Sequence, residues 1–252
     1  MRLEAMIKEY FHNKPRLAVA FSGGVDSAFL LYAAKRYAKE VKAYYVKSQF
    51  QPQFELEDAV RLARELDADI RVLELDVLSI PCIRDNPADR CYHCKKAIFS
   101  RIIAAAREDG FSVLLDGTNA SDDEDDRPGM KALRELRVLS PLRDWGLTKE
   151  QIRSLSKQAG LFTWDKPAYA CLATRVPSGE AITGEKLKSI EAAEDFLFSM
   201  GFKDFRVRTS GTQARLQLRE DQLPLLLRHR EAVLQQLKMY FKSILLDLEV
   251  RQ

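Results

Sequence analysis

Short apolar segments and amphipathic segments alternate strictly over the first two thirds of this 252-residue chain. The apolar segments are rich in Val, Ile, Leu and Tyr, which is typical of strands. In the segments between them, apolar residues recur at helical spacing. The predicted strands are RLAVAF, VKAYYVK, DIRVLELD and SVLLDG, and the predicted helices are AFLLYAAKRYAKE, ELEDAVRLARELD and KKAIFSRIIAAARED. This order predicts an α/β fold with a doubly wound, mostly parallel sheet.

The alternation ends after a helix predicted over LTKEQIRSLSKQAG, where Thr148 and Gln151 fit a capping box and Gly160 fits a C-terminal stop. The next stretch, DKPAYACLATRVPSG, has no clear period and is predicted to be a functional loop or a linker. Beyond it, the pattern predicts a helix, two strands, one further helix and a last strand. We therefore expect an α/β domain over residues 1–165, a loop over 166–182 and a small α+β domain over 183–252.

Charge and hydropathy limit the partners of the chain. A net charge of +3 with no long run of Lys or Arg does not indicate a nucleic-acid track, so nucleic acid is not an expected partner. The first twenty residues contain scattered charges and no apolar stretch long enough for a signal peptide or a membrane span. We therefore expect a cytoplasmic location and no membrane partner.

The segment FSGGVDS joins the first predicted strand to the first predicted helix. At the carboxyl end of a parallel strand, the N–H groups of a glycine-rich turn and of a helix N-terminus favour an anion. The segment has neither the Lys of a Walker A loop nor the spacing of a dinucleotide fingerprint. A glycine turn with a capping residue is the simpler alternative. The predicted anion-binding residues are Ser22, Gly23, Gly24, Val25, Asp26 and Ser27.

Three of the four cysteines form a candidate set for a metal or a cluster. Cys91 and Cys94 make a C-x-x-C at the start of a predicted helix, where the helix dipole favours a thiolate, and Cys171 follows far along the chain. From spacing alone, an iron-sulfur cluster with one open iron, a zinc ion and a metal-free set of thiols all remain open. We expect Cys82, beside a proline in a predicted loop, to be a spare thiol.

Charged residues supply two further candidates. The acidic run SDDEDD follows a predicted strand at the sheet edge where open α/β folds bind ligands, although most such runs are solvated. Arg206 and Arg208 alternate onto one face of a predicted strand, where two guanidinium groups can bind a phosphate. Strand arginines that serve only solubility are the alternative.

These motifs carry a specific resemblance. FSGGVDS resembles the signature of the PP-loop ATP pyrophosphatases, an adenine nucleotide alpha hydrolase-like fold whose members cleave ATP between the α and β phosphates. Behind it, NPADRCYHCKKAIF, LDGTNASDDEDDRPGMKA and ACLATRVPSG follow in the order found in the LarE family of ATP-dependent sulfur transferases, so that the resemblance covers about residues 20 to 210. LarE proteins convert two carboxylates of a pyridinium mononucleotide to thiocarboxylates, which produces the nickel-pincer nucleotide cofactor of lactate racemase.

The resemblance implies cofactors and roles for individual residues. ATP and Mg²⁺ are expected at the loop, with Asp26 in a catalytic role. Because Cys91, Cys94 and Cys171 are all present, the chain resembles the branch that binds a [4Fe-4S] cluster and takes sulfur from a cluster-bound sulfide; in the other branch a single cysteine, here Cys171, is the sacrificial donor. The residues expected to bind the nucleotide substrate are Arg175, Arg206, Arg208, Asp126 and Arg127. A sulfide donor and a homo-oligomer are the expected partners.

Two other functions remain as alternatives. A PP-loop tRNA thiolase also combines ATP activation with cysteines, and steeply salt-dependent tRNA binding would favour it. A nucleotide-responsive cluster or zinc protein without catalysis would form no AMP and no pyrophosphate from any carboxylate.

Overall fold

The structure is a computed structural model that describes residues 2–14, 16–122 and 128–249. The helices are α1 (Arg2–His12), α2 (Val25–Tyr37), α3 (Gln53–Glu65), α4 (Pro81–Arg84), α5 (Arg90–Glu108), α6 (Pro128–Glu135), α7 (Pro141–Asp144), α8 (Lys149–Gln158), α9 (Gly184–Ser199), α10 (Leu223–Arg228) and α11 (Arg230–Leu237). The strands are β1 (Arg16–Ala20), β2 (Glu40–Lys47), β3 (Asp69–Glu74), β4 (Leu114–Leu115), β5 (Arg206–Ser210), β6 (Gln213–Gln217) and β7 (Ser243–Leu246).

The described residues form two compact units. The first unit comprises the described parts of Met1–Asp76 and Asp89–Ala168, and the second comprises those of Val77–Ala88 and Tyr169–Gln252. The short segment 77–88 therefore associates with residues far along the chain, which no sequence pattern indicated. The expected division at residues 165 and 182 stays a prediction.

The first unit contains a parallel sheet in the order β3-β2-β1-β4. Side chains of β1 alternate between its two faces, so Leu17 and Val19 pack in a core with α2 and α8, whereas Ala18 packs with Phe99 of α5 and Leu133 of α6. Helices therefore cover both faces of the sheet. The predicted doubly wound α/β fold is confirmed.

Local signals predicted some element boundaries well and others poorly. The capping box of α8 forms as expected, because Thr148 accepts from the backbone of Gln151 and the Gln151 side chain accepts from the backbone of Thr148. Strand β4 is much shorter than the predicted SVLLDG, because only Leu114 and Leu115 have strand structure. The further helix predicted in this part of the chain, around LPLLLRHREAVLQQLKMYF, is two helices, because His229 (φ −105°, ψ 14°) leaves the helical region.

The second unit is a small α+β fold. Strand β6 pairs antiparallel with β5 and parallel with β7. Helix α9 buries Leu187, Ile190 and Leu197 at helical spacing, and among these apolar residues it also buries Glu194. Because a buried carboxylate is costly without a partner, Glu194 is expected to be paired with a cation or hydrogen-bond donors. Among the described residues, no helix is both long and apolar enough to cross a bilayer.

Candidate active site

The glycine-rich loop lies where the sequence predicts it, between β1 and the first turn of α2. Gly23 has φ +73°, and a Cβ at this position would lie 3.1 Å from the Ala59 Cβ in α3. Both the left-handed backbone and the close approach of a neighbouring helix therefore require glycine. Gly24 is the N-cap of α2 and has no side chain with which to cap the helix, so the helix N-terminus keeps its preference for an anion.

The two loop serines form one hydroxyl pair. The Ser22 and Ser27 Oγ atoms lie 3.1 Å apart, and the Ser27 Oγ donates to the Gly24 carbonyl at 3.2 Å. The Gly24 N–H reaches the Ser22 Oγ at 3.4 Å. These bonds orient both hydroxyls within the turn, beside the N–H groups that a phosphate would contact.

Asp26 is held by Asn119, which belongs to the DGTN sequence, and by Lys149, which sequence reasoning missed. The Lys149 Nζ lies 2.5 Å from its Oδ2, and the Asn119 Nδ2 donates to its Oδ1 at 3.3 Å. Burial raises the pKa of the Asp26 carboxyl above its ordinary value, while the bond from Lys149 offsets part of that rise. Lys149 directly follows the N-cap residue Thr148, so the capping box of α8 places its ammonium group at the loop.

The segment after β4 packs tightly against the loop. A Cβ on Gly117 would lie only 2.8 Å from the backbone nitrogen of Ser27, so this position also needs glycine. Its neighbour Asp116 accepts from the hydroxyls of Thr118 and Ser140, which holds the segment after β4 to Ser140. The DGTN sequence thus lines the nucleotide loop. The predicted substrate residues Asp126 and Arg127 lie outside the described residues.

Cys91 and Cys94 lie near the start of α5, on residues three apart and thus on one face of the helix. Cys91 is exposed and Cys94 is buried. His93, between them in sequence, contacts Asp89 through its Nε2 at 3.2 Å. The expected C-x-x-C at a helix start is therefore present in the first unit.

Cys171 lies in the second unit, at the N-cap of a short 3-10 helix over Leu172–Arg175. Its carbonyl accepts from the Thr174 hydroxyl at 2.8 Å and from the Arg175 Nη1 at 3.3 Å. The backbone at Cys171 is therefore fixed by side chains of its own loop.

Arg175 forms a buried ion pair with Glu194. Its Nε and Nη2 donate to the two Glu194 oxygens, each at 3.0 Å, and both side chains are at most 1% exposed. The Tyr169 hydroxyl donates to the same carboxylate, and burial, followed by the Glu194 charge, raises the pKa of that hydroxyl. We expected Arg175 to contact a substrate phosphate; the structure gives its guanidinium protein partners that anchor the Cys171 loop to α9.

Arg206 and Arg208 lie on one face of β5, as the strand period predicts. The guanidinium of Arg206 lies 5.1 Å from the centre of the Tyr169 ring, and the Arg208 Nη1 donates to the Thr174 carbonyl at 2.5 Å. This face of the strand therefore adjoins the Cys171 loop within the second unit.

The cysteines provide soft thiol donors of the kind that iron-sulfur clusters and zinc use. In the first unit two of them share one helix face, and the third belongs to the second unit. Within the described residues, no group of three or more Cys, His, Asp or Glu side chains is arranged to hold a metal ion. The donor chemistry of the thiols fits a cluster.

Comparison with known proteins decides the family. Residues 16–86 match the model of the queuosine biosynthesis protein QueC. The chain is 35% identical over 236 residues, 92% of its length and 86% of the relative's, to the pyridinium-3,5-bisthiocarboxylic acid mononucleotide synthase of Lactiplantibacillus plantarum. The chain belongs to the LarE family. As a LarE protein with a PP-loop, it is an ATP-dependent sulfur-transferring enzyme.

Two further relatives show how much of the chain each similarity covers. An uncharacterized Synechocystis protein, slr1717, is 34% identical over 219 residues, which cover 86% of this chain and 81% of the relative. The tRNA-specific 2-thiouridylase MnmA of Thermotoga maritima is 25% identical over 191 residues, only 58% of this chain and 52% of the relative. The similarity to a tRNA thiolase is therefore partial, whereas the similarity to LarE covers nearly the whole chain.

Proposed function

We propose that this LarE protein converts the carboxylates of pyridinium-3,5-biscarboxylic acid mononucleotide to thiocarboxylates, in the biosynthesis of the nickel-pincer nucleotide cofactor of lactate racemase. The observation that carries the proposal is the match over 92% of the chain to a synthase of the corresponding bisthiocarboxylic acid. The loop at Ser22–Ser27, with its helix N-terminus and oriented hydroxyls, supports use of ATP as the activating reagent.

The first step is activation of the carboxylate. A substrate carboxylate oxygen attacks the α phosphorus of ATP, the bond to the β phosphate breaks, and pyrophosphate leaves with its Mg²⁺. The N–H groups of the loop and the hydroxyls of Ser22 and Ser27 bind the departing phosphates. Lys149, held at the loop by Asp26, supplies a positive charge close to the anion.

The second step is sulfur transfer. A sulfide attacks the acyl carbon of the adenylate, the bond to AMP breaks, and the thiocarboxylate and AMP are the products. We propose Cys91, Cys94 and Cys171 as ligands of a [4Fe-4S] cluster that is reloaded by a separate sulfide donor. When bound, such a cluster supplies sulfide through the iron that has no cysteine ligand. The reducing cytoplasm is the proposed location, because it keeps these thiols reduced.

Substrate binding is proposed for both charged groups singled out in the sequence. Arg206 and Arg208 bind the substrate phosphate, since two guanidinium groups on one strand face match a phosphate. Arg175 contributes by holding the Cys171 loop through Glu194. For Asp126 and Arg127, contact with the substrate remains a proposal that rests on the family resemblance.

The deciding experiment separates the two steps in Cys171→Ala. This variant is expected to release pyrophosphate from ATP and the biscarboxylic mononucleotide at the wild-type rate and to form no thiocarboxylate by mass spectrometry. The matched control is Cys82→Ala, which removes the exposed thiol outside the proposed set and should keep both steps. Thiocarboxylate formation by Cys171→Ala would contradict the proposal.

Metal analysis of anaerobically purified protein tests the sulfur source. Iron and acid-labile sulfide that are lost on removal of Cys91 support the cluster. Stoichiometric zinc without iron overturns it, and loss of the elements of H₂S from Cys171 after turnover establishes the sacrificial route.

The proposed homo-oligomer has support in the second unit. Large apolar side chains are exposed there at Leu227, Met239, Leu245 and Leu248. Exposed apolar residues mark a contact between subunits where they form one contiguous patch. Light scattering on the wild type and on Leu245→Glu tests this: the variant should shift toward the monomer, and equal masses would contradict the contact.

A further inference from the structure

Lys166 forms an ion pair within the first unit that connects a short segment to α3. It ends a 3-10 helix over Phe162–Asp165. Its Nζ donates to the Asp58 Oδ2 in α3 at 2.6 Å and lies 5.5 Å from the centre of the Phe54 ring. The Lys166 side chain is 15% exposed and that of Asp58 is 31% exposed. Water therefore screens this pair less than it screens an ordinary surface pair.

Helix α8 holds the same segment through its backbone. The Arg153 Nη1 donates to the Trp164 carbonyl at 2.7 Å, and its Nη2 donates to the Lys166 carbonyl at 2.8 Å. The last carbonyls of a helical turn have no partner inside it, so the guanidinium satisfies two of them. The Lys157 Nζ adds a contact 4.4 Å from the centre of the Trp164 ring. Segment 162–166 is thus fastened to both α3 and α8.

Both of these helices also contact the nucleotide loop. Gly23 lies so close to α3 that an added Cβ would be 3.2 Å from the Ala59 Cα. At the start of α8, the Lys149 Nζ lies 2.5 Å from the Asp26 Oδ2. The nucleotide loop, α3, segment 162–166 and α8 therefore form a closed circuit of contacts, all of it within the first unit.

The two contacts of each helix are close together along it. Asp58 directly precedes Ala59 in α3, and Arg153 is four residues after Lys149 in α8. We propose that Lys166 is a positioning residue for ATP binding, whose ion pair with Asp58 sets how α3 lies against the nucleotide loop. This rests on the proposed function only in that the loop binds ATP.

The physical effect is on the order of the loop. Without the ammonium group, the partly buried Asp58 carboxylate gains free energy by moving towards water. Because Ala59 is the next residue, that movement loosens the contact between α3 and Gly23. The N–H groups of the loop are then less well ordered before a phosphate arrives, and binding has to supply the missing order. Lys166 therefore acts through α3 and touches no substrate.

A double-mutant cycle tests this effect. The variants are Asp58→Asn, Lys166→Met and the two combined, and calorimetric titration gives the Kd of ATP in the presence of Mg²⁺. Each single variant is expected to raise the Kd about fivefold, and the double variant no further, because the pair is already broken. Lys166→Arg keeps a cation beside Asp58 and is expected to retain affinity within about twofold.

The matched control is Lys42→Met, near the start of β2 and thus at the opposite end of the sheet from the loop. The Lys42 Nζ lies 3.1 Å from both the Asp69 and the Asp109 carboxylates, and its side chain is 21% exposed. This variant is expected to lower stability towards urea and to leave the Kd of ATP unchanged.

Three outcomes overturn the inference. If Lys166→Met and Lys42→Met both lower stability and neither changes the Kd, the Lys166 pair has only a structural role. Independent, additive effects of Asp58→Asn and Lys166→Met on the Kd show that the pair is not what orders the loop. A wild-type protein that does not bind ATP overturns the proposed function, and this inference with it.

A measurement on the wild type covers the case in which the variants do not fold. Coupling between two sites is reciprocal, so ATP is expected to slow hydrogen exchange of the Lys166 amide, which donates to the Thr163 carbonyl at 3.1 Å. The comparison amide is that of Gly110, at the opposite end of the sheet, which donates to the Arg107 carbonyl at 3.0 Å and should be unaffected. Equal exchange of Lys166 with and without ATP overturns the proposal.

Discussion

The Asp26 carboxylate predicts a pH dependence for the nucleotide loop. Burial raises its pKa, so the charged form that binds Lys149 is lost as the pH falls through a value above that of an ordinary aspartate. We expect pyrophosphate release to decline on the acid side at a higher pH than an exposed aspartate would give. A pH profile of kcat/KM for pyrophosphate release measures this limb.

Asp26→Asn is the companion variant. It cannot titrate, so the acid limb assigned to Asp26 should disappear while the overall rate is lower. The exposed Asp67→Asn should leave the profile as in the wild type. An unchanged acid limb in Asp26→Asn would assign the titration to a different group.

Adding one methyl group at Gly117, beside the nucleotide loop, is expected to reduce both the stability of the protein and its affinity for ATP. A Cβ there would lie 2.8 Å from the Ser27 backbone nitrogen, so Gly117→Ala must displace the first turn of α2. We expect a loss of about 1 to 3 kcal/mol in the free energy of unfolding and about tenfold weaker ATP binding. Denaturant unfolding and calorimetric titration measure the two effects.

Gly184→Ala is the matched control, because its Cβ would meet only the Leu78 side chain at 3.9 Å. It should leave ATP binding unchanged. Equal ATP affinities in Gly117→Ala and the wild type would show that the loop tolerates the displacement.

Site residues in a contiguous motif could be predicted from the sequence, and those with distant partners could not. Ser22, Ser27, Gly23 and Gly24 were predicted because a contiguous motif places them. Lys149, Glu194 and Asn86 were missed because their partners are distant in sequence, and a single charged or polar side chain in a helix or turn gives no sign of a buried partner. Only the capping box next to Lys149 offered a local signal.

At the scale of elements, the ion pair between Arg175 and Glu194 joins the Cys171 loop to α9. Glu194→Gln keeps the size of the side chain and leaves the Arg175 charge buried without an anion. We expect a loss of about 3 to 5 kcal/mol in the free energy of unfolding of the second unit. Urea unfolding followed by circular dichroism measures it.

The control is Glu65→Gln, which breaks an exposed pair with Arg61 in α3. Its expected cost is at most about 1 kcal/mol. If both variants lose the same small amount, the buried pair does not anchor the loop.

Elements with strong periodicity were predicted from the sequence, and those set by tertiary contacts were not. β1, β2, α3 and α8 follow from apolar spacing and caps. Directly after β4, Asp116 accepts from the hydroxyls of Thr118 and Ser140, contacts that no strand pattern contains. Segment 77–88 joins the second unit through the hydrogen bonds of Asn86, which are likewise invisible in a local pattern.

For the whole molecule, the placement of tryptophan allows the first unit to be observed by itself. Trp145 and Trp164 are the only two tryptophans of the chain, and both belong to the first unit. ATP at about 100 times its Kd should stabilise the tryptophan-detected transition by about 2.7 kcal/mol. Urea unfolding followed by tryptophan fluorescence, with and without ATP, tests this.

GTP at the same concentration is the control ligand, and it tests whether the stabilisation depends on adenine. An ATP effect that appears in circular dichroism but leaves the tryptophan transition unmoved would place the nucleotide outside the first unit.

Segment 77–88 also affects the order in which the chain can fold during synthesis. The rest of the second unit begins at Tyr169. Because the ribosome adds about 5 to 20 residues per second, several seconds pass between the synthesis of segment 77–88 and that of its partners. During that interval α5, which follows it, can already join the first unit. Cys91 and Cys94 can therefore be placed in the first unit before Cys171 and the carbonyl partners of Asn86 have been synthesised.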